Sequence, residues 1–260
     1  ALKSVIREYG ISWIINRALY ATKLKAMASL PFVEKIFEKK VDVKKTNIFS
    51  VDSKRLAEFL NKLSYEDKKN LINEADKAIV GKILGFSSID LDYGNPINWH
   101  LNPLTGYVMD NKIKWFKISD FDRDRGDIKL IWEISRFSHL VTFARAYCLT
   151  MDKKYYQAFS NQIDDWVQNN EYSFGVHYKC GQECSIRMVN VLLASTLFED
   201  VGLLTDKDKY NLKIITRDSY KKVLSNFFYA HKCIRNNHTL SELMGMIVGA
   251  WCCEDWDVLK

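Results

Sequence analysis

Arg235-Asn236-Asn237-His238-Thr239-Leu240-Ser241-Glu242 brings amide, imidazole and carboxylate groups together more densely than any other stretch of this 260-residue chain. Part of it has a plain structural explanation. Thr239-x-x-Glu242 fits a capping box, with a hydroxyl at the helix N-cap and a carboxylate reaching back to it. Leu240, Leu243, Met244, Ile247, Val248 and Trp251 follow at the three- and four-residue spacing of an apolar helix face. On that account Asn236 and Asn237 are turn residues. The adjacent Asn237-His238 pair is left over, because a turn needs neither group, and it is the best candidate for catalysis.

A second group of polar residues lies upstream. Glu183, Arg187 and Asn190 stand at i, i+4 and i+7 and share one helix face, with His177 and Tyr178 in the loop just before them. Taken alone, Glu183 and Arg187 make an intrahelical ion pair worth a few tenths of a kcal/mol. Further back, Trp132, Arg136 and His139 fall near one another on a helix, with Glu133 beside them.

These groups must be held by helices. Residues 1–40 carry an apolar helical pattern through Ile6, Ile11, Trp13, Ile14, Leu19 and Leu24, broken at Pro31. Val41 to Ser53 reads as a loop or short strand. A helical region follows to about Val80, with a start at Ser64-Tyr65-Glu66-Asp67, where Ser64 caps and the acids occupy the first turn. Residues 81–127 hold half of the chain's glycines and prolines, interleaved with Trp99, Tyr107, Trp115 and Phe116. A long irregular segment of this kind either carries function or covers the core with its aromatics as anchors. From Ile128 the pattern is helical again, over 128–149, 152–168, 183–197, 206–231 and 239–253. Strand-like alternation is nearly absent. The predicted class is all-α, with antiparallel helical hairpins forming a bundle, solenoid or closed ring.

Composition narrows the function. A chain with 47% hydrophobic content can bury a sizeable core. The net charge of +6 is modest, and no nucleic-acid-binding motif accompanies it, so no nucleic acid is expected as partner. A mild positive balance suits an anionic polymer. The six cysteines form no Cys-x-x-Cys pair, so no metal or other cofactor is expected, and free core thiols are. No run is long and apolar enough to span a membrane, and no membrane insertion is expected. The thiols and the lack of a visible leader point to the cytoplasm, with the periplasm or secretion as the alternative if a leader has been removed. Ala1 at the start and Lys260 shortly after a helical run read as the ends of a piece of a longer protein.

Four stretches in series resemble the heparinase II/III family of polysaccharide lyases: Asn102-Pro103-Leu104-Thr105-Gly106; Asp127-Ile128-Lys129 leading into Trp132-Glu133-x-x-Arg136-Phe137; Gly175 to Glu183 with Ser185-Ile186-Arg187; and Arg235-Asn236-Asn237-His238 with Ser241-Glu242. The resemblance covers roughly residues 95–255. His177 and Tyr178 stand where the family pattern leads one to expect asparagine and tryptophan.

The resemblance implies an α/α-toroid domain, here incomplete, over 95–260, preceded by a helical region over 1–94 and followed in the full-length protein by a β-sandwich partner domain. It implies β-elimination on a uronate-containing acidic polysaccharide. In that chemistry a donor must hold the sugar carboxylate before the neighbouring C–H becomes acidic enough to lose its proton. Asn237 matches the neutralising amide. His238 matches the adjacent imidazole, which assists neutralisation or takes the proton. Glu242 would orient that ring. Asn236, Glu183, Arg187, Trp132, Arg136, His177 and Tyr178 would contact substrate, and a tyrosine acting as base or acid is expected beyond Lys260. Two other readings stay open: a non-catalytic or hydrolytic carbohydrate-binding module, and a helical interaction scaffold.

Overall fold

The computed structural model describes residues 7–258. Ala1, Ile6 and Lys260, on which some of the expectations above rest, lie outside that range. Among the described residues about 64% are helical and only two short strands occur, so the all-α class holds.

The first long helix, α1 (Ile11–Ser29), packs against the Ala230–Ile234 turn. Its Trp13 indole donates to the Cys233 carbonyl at 2.8 Å, and its Lys23 ammonium donates to the Ser225 carbonyl. A short α2 (Pro31–Phe37) follows. The stretch after it forms no strand. It is an extended strap whose Lys44 and Lys45 amides both donate to the Cys252 carbonyl. Next come α3 (Ser53–Asn61) and α4 (Tyr65–Ile79). Ser64 caps α4 as its sequence predicts, accepting from the Asp67 amide at 3.1 Å.

Strands β1 (Lys82–Gly85) and β2 (Ile89–Asp92) pair antiparallel in a hairpin that the sequence pattern does not announce. The tip residues Phe86 and Ser87 both have positive φ, 50° and 60°, a left-handed geometry strained for any residue with a Cβ. Residues 93–127 form the irregular covering layer. Its Trp99 is buried edge-on against Phe137 and Trp166, and the indole donates to Asp165 at 2.6 Å. Asn102, fully buried, ties the layer together by donating to the Arg125 carbonyl and accepting from the Leu104 amide. The aromatics Trp99 and Trp115 thus anchor a cover rather than line an open cleft.

The single helix expected over 128–149 is two. α5 (Lys129–Ser135) and α6 (Ser138–Thr150) are separated at Phe137, which sits in the left-handed region at φ 61°. The apolar pattern runs on through the break because Phe137 itself is fully buried between Trp99 and Trp166. Then come α7 (Lys154–Asn169), α8 (Gly181–Asp200), α9 (Asp206–Tyr229) and α10 (Asn237–Cys253). α8 is central and packs on α6, α9 and α10, while α9 also packs on α7. The main core draws Leu60, Leu71 and Ala75 from before residue 94 and Phe143, Phe159 and Met188 from after it, so both regions close over one interior.

Between α9 and α10 the chain makes one wide π-type turn, Ala230–Ile234, and reverses at Arg235 with φ 58°. That reversal sets where α10 begins.

Candidate functional site

The Asn-His stretch forms the first turn of α10. Asn236, not Thr239, is the N-cap: its side-chain oxygen accepts from the His238 amide at 3.0 Å. The capping box read from Thr239 and Glu242 does not form. Thr239 donates instead to the Ala230 carbonyl, and Glu242 turns inward. Asn237 and His238 therefore occupy the first two helical positions, where the helix dipole favours an anion although Asn236 already caps the His238 N–H.

Asn237 is exposed, and its amide nitrogen donates one hydrogen bond to the Gln182 side-chain oxygen at 3.1 Å. A carboxamide has two N–H donors, so this contact orients the group and leaves the second donor for a ligand. His238 is half-buried, with Nδ1 3.7 Å from the Cys180 sulfur. Burial pushes its pKa below the ordinary value. The Glu183 carboxylate opposes that shift and the Lys129 ammonium adds to it, so both charges lie within electrostatic reach of the imidazole.

Glu183 is held by Arg136 in a two-pronged pair, Nε to Oε2 at 2.7 Å and Nη2 to Oε1 at 3.0 Å. Arg136 also donates to Glu133 at 2.6 Å, and the other Glu133 oxygen accepts the Phe86 amide from the hairpin tip. The break at Phe137 serves this cluster: Arg136 ends α5, and its carbonyl is capped by the Asn190 side chain from α8. Glu133, Arg136 and Glu183 are thus each paired, the condition for keeping ionic groups in a poorly solvated place. Two cavities flank the region. One of about 800 Å³ is lined by Glu133, Arg136, Asn190 and the hairpin. The other, about 480 Å³, is lined by Arg235, Asn236 and Thr239.

Four of the residues expected to contact substrate lie elsewhere. Arg187 is fully buried, with its guanidinium 4.5 Å from the Trp166 ring centroid and donating to Ser135 and to the His177 carbonyl. His177 is buried against the Trp99 carbonyl, and desolvation holds its pKa well below the usual imidazole value. Tyr178 donates to the Asn170 carbonyl inside the protein, and the Trp132 indole donates to the Val176 carbonyl. These side chains shape the interior behind the site and do not line it. Arg187 and Glu183 share a helix by sequence, but Glu183 pairs with Arg136 on another helix.

Glu242 is likewise displaced from its expected role. It is fully buried, accepts two hydrogen bonds from the Asn226 amide at 2.8 and 3.1 Å, and does not orient His238. The space it fills exists because residue 181 is glycine: a Cβ there would lie 2.5 Å from the Glu242 carboxyl carbon. Lys222, also buried, has its ammonium 3.3 Å from the Trp115 ring centroid and no hydrogen-bond partner among the described residues. Sequence reasoning missed Lys222 and Asn226 as parts of this region, and gave no role to Gln182 and Cys180, which stand in the Gly175–Glu183 motif. For the first two a signal existed: Ser219, Lys222, Val223 and Asn226 fall on one helical face, and that face is buried.

A family model described as Heparinase II/III N-terminus matches residues 28–253. Searches of curated proteins and of solved structures find no match.

Proposed function

The chain belongs to the heparinase II/III family, a family of polysaccharide lyases whose N-terminal domain is of the α/α-toroid type, and from that premise we propose that it acts on a uronate-containing acidic polysaccharide by β-elimination. The observation that carries this reading is the state of Asn237: an exposed carboxamide, aimed by Gln182, with one donor free, at the N-terminus of α10 beside His238. A sugar carboxylate at that position would meet the free amide N–H, the helix terminus and the imidazole together. Their combined field would stabilise the enolate-like charge that develops as the neighbouring carbon loses its proton. The proton goes to His238 or to a tyrosine, which the family resemblance places further along the chain than the Asn-His pair. The electron pair then forms the double bond as the glycosidic oxygen leaves. The exposed Lys129, within electrostatic reach of His238, offers a cation to an acidic chain.

The test is spectroscopic. The protein is incubated with a panel of uronate polymers while ultraviolet absorbance of the conjugated double bond is followed. A rising signal is expected, reduced roughly 10²–10³-fold in Asn237→Ala, as for loss of one oxyanion-type donor, with circular dichroism unchanged. New reducing ends without absorbance would mean hydrolysis and would sink the elimination mechanism. Full activity in Asn237→Ala would remove the residue assignment.

A further inference from the structure

We infer that Cys180 is a positioning residue that fixes His238 as the tautomer protonated on Nε2, making the imidazole a hydrogen-bond donor to the substrate carboxylate rather than the base. This rests on the lyase reading for its functional half and on geometry alone for its structural half.

Cys180 is the residue before α8, with its sulfur 3.7 Å from Nδ1 of His238. The backbone N–H of Glu183 acts on that sulfur as a donor, which favours turning the S–H towards Nδ1. Burial pushes the thiol up to about 12, so it keeps its proton at neutral pH. A thiol that donates its S–H to Nδ1 requires a lone pair there. The ring proton is then on Nε2, since the hydrogen bond made by one imidazole nitrogen dictates the state of the other. Burial also lowers the His238 pKa, which keeps the ring neutral at neutral pH. Among the described residues no hydrogen bond reaches Nε2, so that N–H is free for a ligand. A neutral ring with its proton on Nε2 has no lone pair to offer outward. It can share the carboxylate with Asn237, and it leaves proton abstraction to another group.

The decisive measurement is a long-range proton–nitrogen correlation spectrum of protein labelled with ¹⁵N-histidine. The chain has five histidines, and His238→Gln identifies the signal. Wild type is expected to show Nε2 protonated and Nδ1 bare. Cys180→Ala should lose that preference, and Cys180→Ser, which retains a donor, should keep it. A wild-type signal with the proton on Nδ1 would overturn the inference, as would an unchanged tautomer in a folded Cys180→Ala. If Cys180→Ala does not fold, the wild-type spectrum still decides. In the elimination assay, Cys180→Ala should lower kcat with KM held, and Cys180→Ser should rescue it. If no uronate polymer is cleaved, the lyase reading fails while the tautomer result stands on its own.

Discussion

Glu242 lies one helical turn beyond His238, yet its carboxyl faces Asn226 and Lys222 inside the protein. Burial raises its pKa from the ordinary 4.5 to about 7. The folded chain thus keeps a proton that the unfolded chain gives up, and the stability this contributes is complete below about 4.5 and lost as the pH rises to about 7. Lys222 runs the other way. Burial lowers it from 10.5 to about 7, so the stability of its neutral form is present above 10.5 and lost as the pH falls towards 7. Glu242→Gln should remove a fall in melting temperature between about pH 4.5 and 7, and Lys222→Met a rise between about pH 7 and 10.5. Glu242→Ala should cost roughly 1–3 kcal/mol by stranding the Asn226 amide, and Glu242→Gln distinctly less, as read by chemical denaturation. The sequence offered Glu242 as a helix cap or a partner for His238 because both are local relations. Its real partner sits on α9, and no local pattern carries that information.

The same limit shows at the level of elements. The helices of the second half are legible from apolar spacing, which α6 to α9 bury against their neighbours, whereas the apolar stripe of α10 is largely exposed and the helix packs through Gly245, Val248 and Gly249 instead. The break at Phe137 is not, since a left-handed aromatic held by Trp99 and Trp166 leaves the apolar rhythm intact. Nor is the start of α10, which a π-type turn and a left-handed Arg235 move two residues ahead of the apparent cap. Its close packing rests on two glycines one turn apart. A Cβ at Gly245 would meet Ser185 Oγ at 2.2 Å, and one at Gly249 would meet the buried Tyr220 ring at 2.1 Å. Alanine gains about 1 kcal/mol of helix propensity over glycine, whereas overpacking a closed core costs about 1–3 kcal/mol. The Tyr220 ring is fully buried and has no room to swing away. Gly249→Ala should therefore be destabilising on balance, with a lower denaturant midpoint.

Across the whole molecule, Trp99 links the cover to the core. Its indole holds Asp165, its carbonyl accepts from His177, and its ring closes over Phe137 and Trp166. Trp99→Ala should cost about 3–5 kcal/mol as a large core truncation and release the 93–127 segment, seen as faster limited proteolysis within those residues. Cleavage at the wild-type rate would mean the segment is held by its other anchors, Trp115 among them. The sequence left open whether this layer carries function or covers the core, because turn-rich composition looks alike in both cases. Burial of its tryptophans decides for cover.

One feature of α10 affects how the protein behaves at the bench. Leu240, Leu243, Met244, Ile247 and Trp251 lie exposed along one side of that helix. A contiguous greasy strip of this kind attracts dyes that brighten in apolar surroundings. Such a dye should already glow on the native protein, so a dye-monitored melt starts from a high baseline and understates the transition. Trp251 blurs the intrinsic signal for the same reason, being in contact with water before unfolding begins. The sheltered Trp99 and Trp166 make the red shift of tryptophan emission, not its intensity, the cleaner thermometer.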